Sequence, residues 1–192
     1  EIHGIANKRM LEAIRSNDNV IGYCVHALTA GDWIIGAGLL DLWRNPKGLA
    51  YDLTKEGNLS KIAVLRTNKR NYFKGENIKI STLIINERQS ENNKVRISVN
   101  KLNKNKKELI YNSNNIYEIK NGINDIGKIN LGKDLEPSEY ELNVIVSKSN
   151  VIEYQTSIKF NVFSLPKHHQ NLNVAVLKDD KRTVDFFNKY GI

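Results

Sequence analysis

Hydrophobic residues are spaced differently in three successive parts of this 192-residue chain. In the first part, Ile5, Met10, Leu11 and Ile14 recur at helical spacing, which predicts a helix over residues 3–17 with one buried stripe. A continuous apolar run follows over residues 20–28. Such a run, rich in β-branched and aromatic residues, is typical of a strand buried on both faces of a sheet.

A loop over residues 29–32 leads into another apolar stretch, residues 33–43, whose two glycines favour a buried irregular segment. Asn45 and Pro46 then resemble a helix start, with Asn as the N-cap and Pro in the first turn, and predict a helix over residues 46–56. This helix–strand–helix order is typical of an α/β layer structure. Residues 1–57 are too few to surround a doubly buried strand, so we expect them to be a slice of a larger α/β core.

From Ser60 onwards the apolar residues alternate with polar ones, which is the period of half-buried strands. Turn residues interrupt this alternation every 8–12 positions, and Leu109–Tyr111 and Ile116–Ile119 are separate strands in this interpretation. Seven or eight short strands predict a mainly β fold, an immunoglobulin-like antiparallel β-sandwich over residues 59–164. The chain has one cysteine, so the disulfide of antibody-type domains is excluded.

The last part, residues 165–192, reads as a linker and the start of a further β-α domain. Apolar residues 172–177 predict a strand, and Asp179 and Asp180 are candidate caps for a helix over about 181–190. The chain begins at Glu1 without a signal-like segment and stops just after this helix. We therefore expect it to be a piece of a larger protein.

Charge and composition exclude several classes of function. The net charge of +8 is spread over the strands and turns, and its one tight cluster, Lys101 to Lys107, has no interleaved aromatic residues, so we expect no nucleic-acid partner. No apolar run is long enough to span a membrane. With Cys24 alone and no phosphate loop or metal motif, we expect no metal and no cofactor. The compartment stays open, with the cytoplasm slightly favoured over secretion.

Several short motifs point to one family. They are Gly22-Tyr23 in the predicted strand, GLLD.WR.PK over residues 38–47, and the turn Phe73-Lys74-Gly75-Glu76 early in the sandwich. In this combination, the chain resembles the end of the catalytic barrel and the following immunoglobulin-like domain of glycoside hydrolase family 2 and related β-galactosidase-like enzymes. The resemblance covers residues 1–164.

This resemblance implies that residues 1–57 are the end of a (β/α)₈ barrel, which binds sugar at the carboxyl ends of its strands. It also implies retaining hydrolysis by two carboxylates of earlier barrel strands. Both carboxylates would precede Glu1, so we expect this chain to contain no catalytic residue and to be inactive alone. Its partner would be the carbohydrate substrate of the full-length enzyme.

Three residues are candidate substrate-binding residues. His26 lies late in the predicted strand, where many relatives have a tryptophan; a hydrogen-bonded core histidine is the other interpretation. Asp32 and Trp33 follow that strand, in the loop that would line the sugar site. Tryptophan stacks on sugar C–H faces and aspartate accepts hydrogen bonds from hydroxyls. A loop anchored by a buried tryptophan remains the structural alternative.

Other conspicuous residues of this region have structural interpretations. Asp41 and Arg44 are expected to form an ion pair that holds the loop, and Trp43 is expected to pack between barrel and sandwich. Cys24 is expected to be a small core residue.

Two further hypotheses remain open. The sandwich could be a non-catalytic module for carbohydrate binding or adhesion, although its tyrosines fall within strand patterns and form no exposed row. Separately, Ile34, Ile35, Leu39 and Leu40 would lose their partners outside a barrel. We expect residues 1–57 to pack their helices on the sandwich or to self-associate.

Overall fold

The computed structural model describes residues 2–25, 28–31, 38–103, 106–165 and 180–190. Its elements, in chain order, are α1 (Ile2–Arg15), α2 (Leu49–Gly57), β1 (Lys61–Thr67), β2 (Asn71–Phe73), β3 (Lys79–Asn86), β4 (Glu91–Asn103), β5 (Lys106–Ile119), β6 (Gly122–Asn130), β7 (Ser138–Lys148), β8 (Val151–Phe163) and α3 (Lys181–Tyr190). The fold is mainly β, as the alternating pattern predicts.

The strands form two sheets that face each other. One has the order β1-β3-β6 and the other β2-β8-β7-β4-β5. Neighbours are antiparallel, except that the short β2 runs parallel to the end of β8. The inward positions of both sheets form one hydrophobic core, and each fully buried Ile, Val or Phe in it contributes about 2 kcal/mol of transfer free energy. This is the predicted antiparallel sandwich.

Aromatic residues fill the centre of the core. The rings of Tyr140 and Phe160 stack with centroids 5.2 Å apart, and Tyr72 meets Phe160 edge-on at 5.9 Å. Both tyrosines are buried but keep a partner for the hydroxyl group: Tyr140 donates to the Glu136 carbonyl at 2.7 Å and Tyr72 donates to Asn68 at 2.8 Å. The core therefore holds large rings without leaving their polar ends unpaired.

The Phe73-Lys74-Gly75-Glu76 motif is a tight turn after β2. Gly75 has a φ of 91°, a conformation that favours glycine. The Glu76 carboxylate accepts the Phe73 N–H at 3.1 Å and a hydrogen bond from Lys69 at 2.8 Å. Helix α3 packs on the same turn, because the ring centroids of Phe186 and Phe73 are 6.0 Å apart.

Helices α1 and α2 pack on each other and on the sandwich. Gly4 of α1 lies directly against the backbone of Leu49, and Leu11 is buried against Gly57 of α2. Arg15 donates to the Gly57 carbonyl at 2.5 Å and to Glu87, beyond β3, at 2.8 Å. Of the two expected outcomes for residues 1–57, packing of the helices on the sandwich is therefore observed.

The structure corrects three predictions about secondary structure. Residues 20–25 are exposed and form no strand, and Ile21 is fully accessible at 105%. The second helix begins at Leu49 with Gly48 as its N-cap, rather than at Asn45-Pro46. Its start is displaced because Pro46 bridges to Leu40 instead. The two short strands predicted over 109–119 are one continuous strand, β5, which pairs with β4 along its length.

At the end of the chain, the predicted helix is confirmed as α3, and the Asp180 carboxylate caps it by accepting the Thr183 N–H at 3.1 Å. The strand predicted over 172–177 lies outside the described residues. No helix in the described part of the chain combines the length and apolar character needed to cross a membrane.

Candidate functional site

The three predicted substrate-binding residues, His26, Asp32 and Trp33, lie outside the described residues. The structure does describe the chain on both sides of them. Leu39 and Leu40 both donate their N–H groups to the Leu28 carbonyl at 2.9 Å, and Ala30 donates to the Leu40 carbonyl at 2.8 Å. Residues 28–31 and 38–40 are thus hydrogen-bonded side by side.

Asp41 organises the turn that follows. One oxygen of its carboxylate accepts the N–H groups of Trp43 and Asn45 at 2.9 and 2.7 Å, and the other accepts the Asn45 amide at 3.0 Å. These hydrogen bonds, that of the Asn45 N–H first, hold the pKa of Asp41 below its usual value. Arg44 sits at the tip of the turn with a φ of 66°.

Three predictions about this region are wrong. Asp41 and Arg44 form no ion pair, because the Asp41 carboxylate is occupied by the turn itself. Trp43 is 79% exposed rather than packed against the sandwich. Cys24 is exposed and lies in the non-helical segment 20–25, so it is not a core residue.

An apolar cleft of about 310 Å³ separates α1 from segment 20–25. Met10, Leu11 and Ile14 line it from the helix, and Tyr23 and Val25 line it from the segment. The Tyr23 hydroxyl donates to Asn58, which ties segment 20–25 to the end of α2. Tyr23 and Val25 are each 40% exposed, so this side of the cleft is open to solvent.

A cluster of charged residues joins the two helices to the sandwich. Lys8 donates to Glu56 at 2.7 Å and to Thr156 of β8 at 2.6 Å, and the Tyr154 hydroxyl donates to Glu56 at 2.9 Å. Glu12 lies 4.0 Å from the same ammonium. Sequence analysis misses this cluster; its only sequence signal is the Lys8–Glu12 pair one helical turn apart.

Burial dominates the electrostatics of this cluster. The pKa of Glu12 is raised to about 7, because burial and, to a lesser degree, the nearby Glu56 carboxylate outweigh the opposing effect of Lys8 and Arg66. Burial and the Glu56 carboxylate also raise the pKa of Tyr154. Glu12 and Glu56 line different grooves, so the pair does not face one substrate position. The cluster acts as a polar seam between helices and sheet.

A wide polar groove lies on the outer face of the five-stranded sheet, beside α2. Its volume is about 610 Å³. We call it the sheet groove; its polar lining includes Arg96, Ser98, Asn100, Lys107, Glu141, Asn143, Gln155 and Ser157. The sequence signal for it is the set of polar residues that alternate with buried Val95, Ile97 and Val99 in β4.

Among the described residues, no group of three His, Cys, Asp or Glu side chains is placed to hold a metal ion. The described residues form two candidate binding surfaces: the sheet groove, which is lined by hydrogen-bonding side chains, and the apolar cleft beside α1.

Comparisons with known proteins give structural likenesses only. No protein-family model matches the sequence, and no curated protein matches it. Among solved structures, a cycloisomaltooligosaccharide glucanotransferase of Paenibacillus sp., complexed with cycloisomaltoheptaose, is similar to 52% of this chain, with 13% identity and a TM-score of 0.41. A β-glucuronidase of Parabacteroides merdae is similar to 54% of it, with 10% identity and a TM-score of 0.40.

The matched part of this chain spans only 13% of the glucanotransferase and 14% of the β-glucuronidase. A CARDB domain of a Pyrococcus furiosus protein, in complex with di-metal ions, matches 53% of this chain and 86% of its own length, with 12% identity and a TM-score of 0.41. The structural neighbours thus include glycoside hydrolases at low identity and partial coverage, and their identities and TM-scores carry no assignment of function to this chain.

Proposed function

We propose that this chain is the carboxy-terminal part of a β-galactosidase-like glycoside hydrolase of family 2, in which residues 1–57 complete the catalytic barrel and the sandwich supports it. The retaining hydrolysis of glycosidic bonds would be carried out by carboxylates elsewhere in the longer protein. In this proposal, His26, Asp32 and Trp33 contact the sugar.

One observation carries the proposal: the apolar surface of this chain is concentrated on residues 2–49. Half of the exposed large hydrophobic side chains of the described residues lie there: Ile2, Met10, Val20, Ile21, Tyr23, Val25, Leu28, Leu42, Trp43 and Leu49. A patch of this kind marks a surface that another part of a protein covers. The resemblance of the GLLD.WR.PK motif implies that the remaining strands and helices of a barrel cover this surface.

The connection to the sandwich supports the same proposal. Helix α2 ends at Gly57 and β1 begins at Lys61, so the helix leads directly into the sandwich. The polar seam of Lys8, Glu56 and Tyr154 then holds both helices on β8. A rigid junction of this type suits a sandwich that buttresses a barrel.

The first experiment is to read the gene upstream of Glu1 and to express the longer protein. We expect a (β/α)₈ barrel with two glutamates at the carboxyl ends of its strands. The longer protein should hydrolyse a para-nitrophenyl β-galactoside, β-glucoside or β-glucuronide with retention of configuration, which NMR can follow. This chain alone should not hydrolyse them. A reading frame without a barrel, or hydrolysis by this chain alone, would overturn the proposal.

The substrate-binding residues are tested in the longer protein. Trp33→Ala and Asp32→Asn should each lower kcat/KM by about tenfold or more, since each removes a sugar contact worth at least ~1.4 kcal/mol. The matched control for Asp32→Asn is Asp134→Asn, at an exposed position of the sandwich. Equal kcat/KM values for Asp32→Asn and the control would show that Asp32 does not contact the sugar.

A further inference from the structure

The strand register brings small polar side chains into rows across the sheet groove. Ser98 of β4 pairs with Asn143 of β7, and Asn143 pairs with Ser157 of β8. Adjacent strands are about 4.8 Å apart, so this row extends roughly 10 Å across three strands. The next row along the strands begins with Asn100 and Glu141. Hydroxyl and amide groups are therefore presented at regular intervals on one face.

Most of these side chains have unused hydrogen-bonding capacity. Within the described ranges, the side chains of Ser98, Asn100, Gln155 and Ser157 make no hydrogen bond to another residue. Each hydroxyl or amide can both donate and accept. A ligand with many hydroxyl groups, which also donate and accept, matches this lining.

The charges of the groove favour an uncharged ligand. Lys107 pairs with Glu141 at 2.7 Å, and Lys8 pairs with Glu56 at 2.7 Å. Arg96 is the third cation that lines the groove, and its Nε donates to the Asn112 amide oxygen at 3.2 Å. Two of the three cations that line the groove are thus neutralised by carboxylates, so a polyanion would find only the Arg96 charge without a carboxylate partner among the described residues.

The sheet groove also has a few apolar side chains, on its floor and along one side. Ile145, in the middle of the floor, is half-buried, and Leu53 of α2 lines the side. These side chains can contact the C–H faces of a sugar ring. The volume of about 610 Å³ is in the range of small-ligand sites, which run from about 300 to 1,000 Å³.

We propose that the sheet groove binds a short neutral oligosaccharide, with Ser98, Asn143 and Ser157 contacting its hydroxyl groups. This site lies on the sandwich and is built from residues of this chain alone, so it stands apart from the proposed glycosidase origin. The two proposals fail separately: loss of binding here says nothing about hydrolysis by a longer protein.

The test uses the full chain and defined probes. Calorimetric titration with cellopentaose, maltopentaose, xylopentaose and β-galactopentaose should find at least one that binds, with amide NMR shifts concentrated in β4, β7 and β8. Asn143→Ala and Ser157→Ala should each weaken binding of that probe by about tenfold. The matched control is Asn92→Ala, at an exposed position at the start of β4 outside the groove.

A second variant keeps the test independent of folding. Ser98→Lys should block the groove by volume while thermal unfolding verifies that the sandwich is intact. The proposal is overturned if none of the four probes binds at millimolar concentration, if the groove variants bind as well as the control, or if the shifts fall on residues 20–47. Binding that is confined to a sulfated glycan such as heparin, and falls steeply with salt, also overturns it.

Discussion

The ammonium of Lys61 lies 2.5 Å from a carboxylate oxygen of Glu153, and this ion pair joins the two sheets, because Lys61 belongs to β1 and Glu153 to β8. Lys61 is only 3% exposed. Glu91 and the Asn93 amide oxygen complete its surroundings from β4. A cation this deeply buried is tolerated only because each of its donors has an acceptor.

Replacing this lysine should strongly destabilise the sandwich. In Lys61→Met the two carboxylates lose their shared cation, and we expect the free energy of unfolding to fall by about 3 kcal/mol, as measured by urea denaturation. Lys148→Met is the matched control: Lys148 also pairs with Glu91 but is 51% exposed, so its loss should cost less than about 1 kcal/mol. Equal effects of the two variants would contradict this account of the sheet junction.

The polar seam predicts an unusual dependence of stability on pH. Glu12 has a pKa of about 7 in the folded protein, against an ordinary value of 4.5. Between these values the folded state binds more protons than the unfolded state, so the free energy of unfolding falls as the pH rises through this window. The full contribution of Glu12 is present below about pH 4.5, and a loss on the order of 3 kcal/mol is complete by about pH 8.

Glu12→Gln isolates this effect. The variant keeps the shape of the side chain but cannot ionise, so it should be more stable than the natural chain at pH 8 and differ little from it at pH 5. Urea denaturation at a series of pH values gives the difference curve, with Glu118→Gln, at an exposed position of β5, as the control. A difference between Glu12→Gln and the natural chain that is constant from pH 5 to 8 would show that Glu12 does not titrate in this range.

Gly4 is predicted to be indispensable for the packing of α1 on α2. A Cβ at this position would lie 2.2 Å from the Leu49 carbonyl oxygen, which is backbone and cannot rotate away. Glycine to alanine within a helix normally stabilises by up to about 1 kcal/mol, so a loss of stability in Gly4→Ala would reveal the close approach. We expect a lower Tm and faster hydrogen exchange in α1. Gly22→Ala is the control, because no atom lies within 4 Å of its added Cβ.

Local pattern predicts the sandwich well because its strands find partners within this chain. The alternation in β4, β7 and β8 predicts which residues face the core, and β4 is buried at every second position from Asn93 to Val99. The division of β5 is wrong for a physical reason. Residues 112–115 are all polar, but their backbone pairs with β4 regardless, since β5 is an edge strand whose side chains are largely exposed.

The same reasoning fails for residues 20–25, where composition favours burial but the described chain supplies no neighbouring strand. Apolar side chains indicate that burial would stabilise a segment. They do not indicate which part of the molecule the segment packs against. Likewise, Asn45 and Pro46 have the residue types of a helix start, but the Asn45 side chain bonds to Asp41 instead. The polar seam and the sheet groove depend on which strands adjoin, so sequence spacing alone does not predict them.

The exposed apolar surface of residues 2–49 leads to a last prediction, about association. We propose that this chain, studied alone, self-associates through this surface, because Ile21 is 105% and Trp43 79% exposed with no cover from the described residues. Light scattering across a concentration series should show a mass that rises above that of the 21.9 kDa monomer.

The double variant Ile21→Ser, Trp43→Ser should shift the association to at least tenfold higher concentration. Ile116→Ser, which removes another exposed isoleucine (74%) from the sandwich, should leave it unchanged. A monomeric natural chain at all concentrations, or an equal response to Ile116→Ser, would assign this surface no role in self-association.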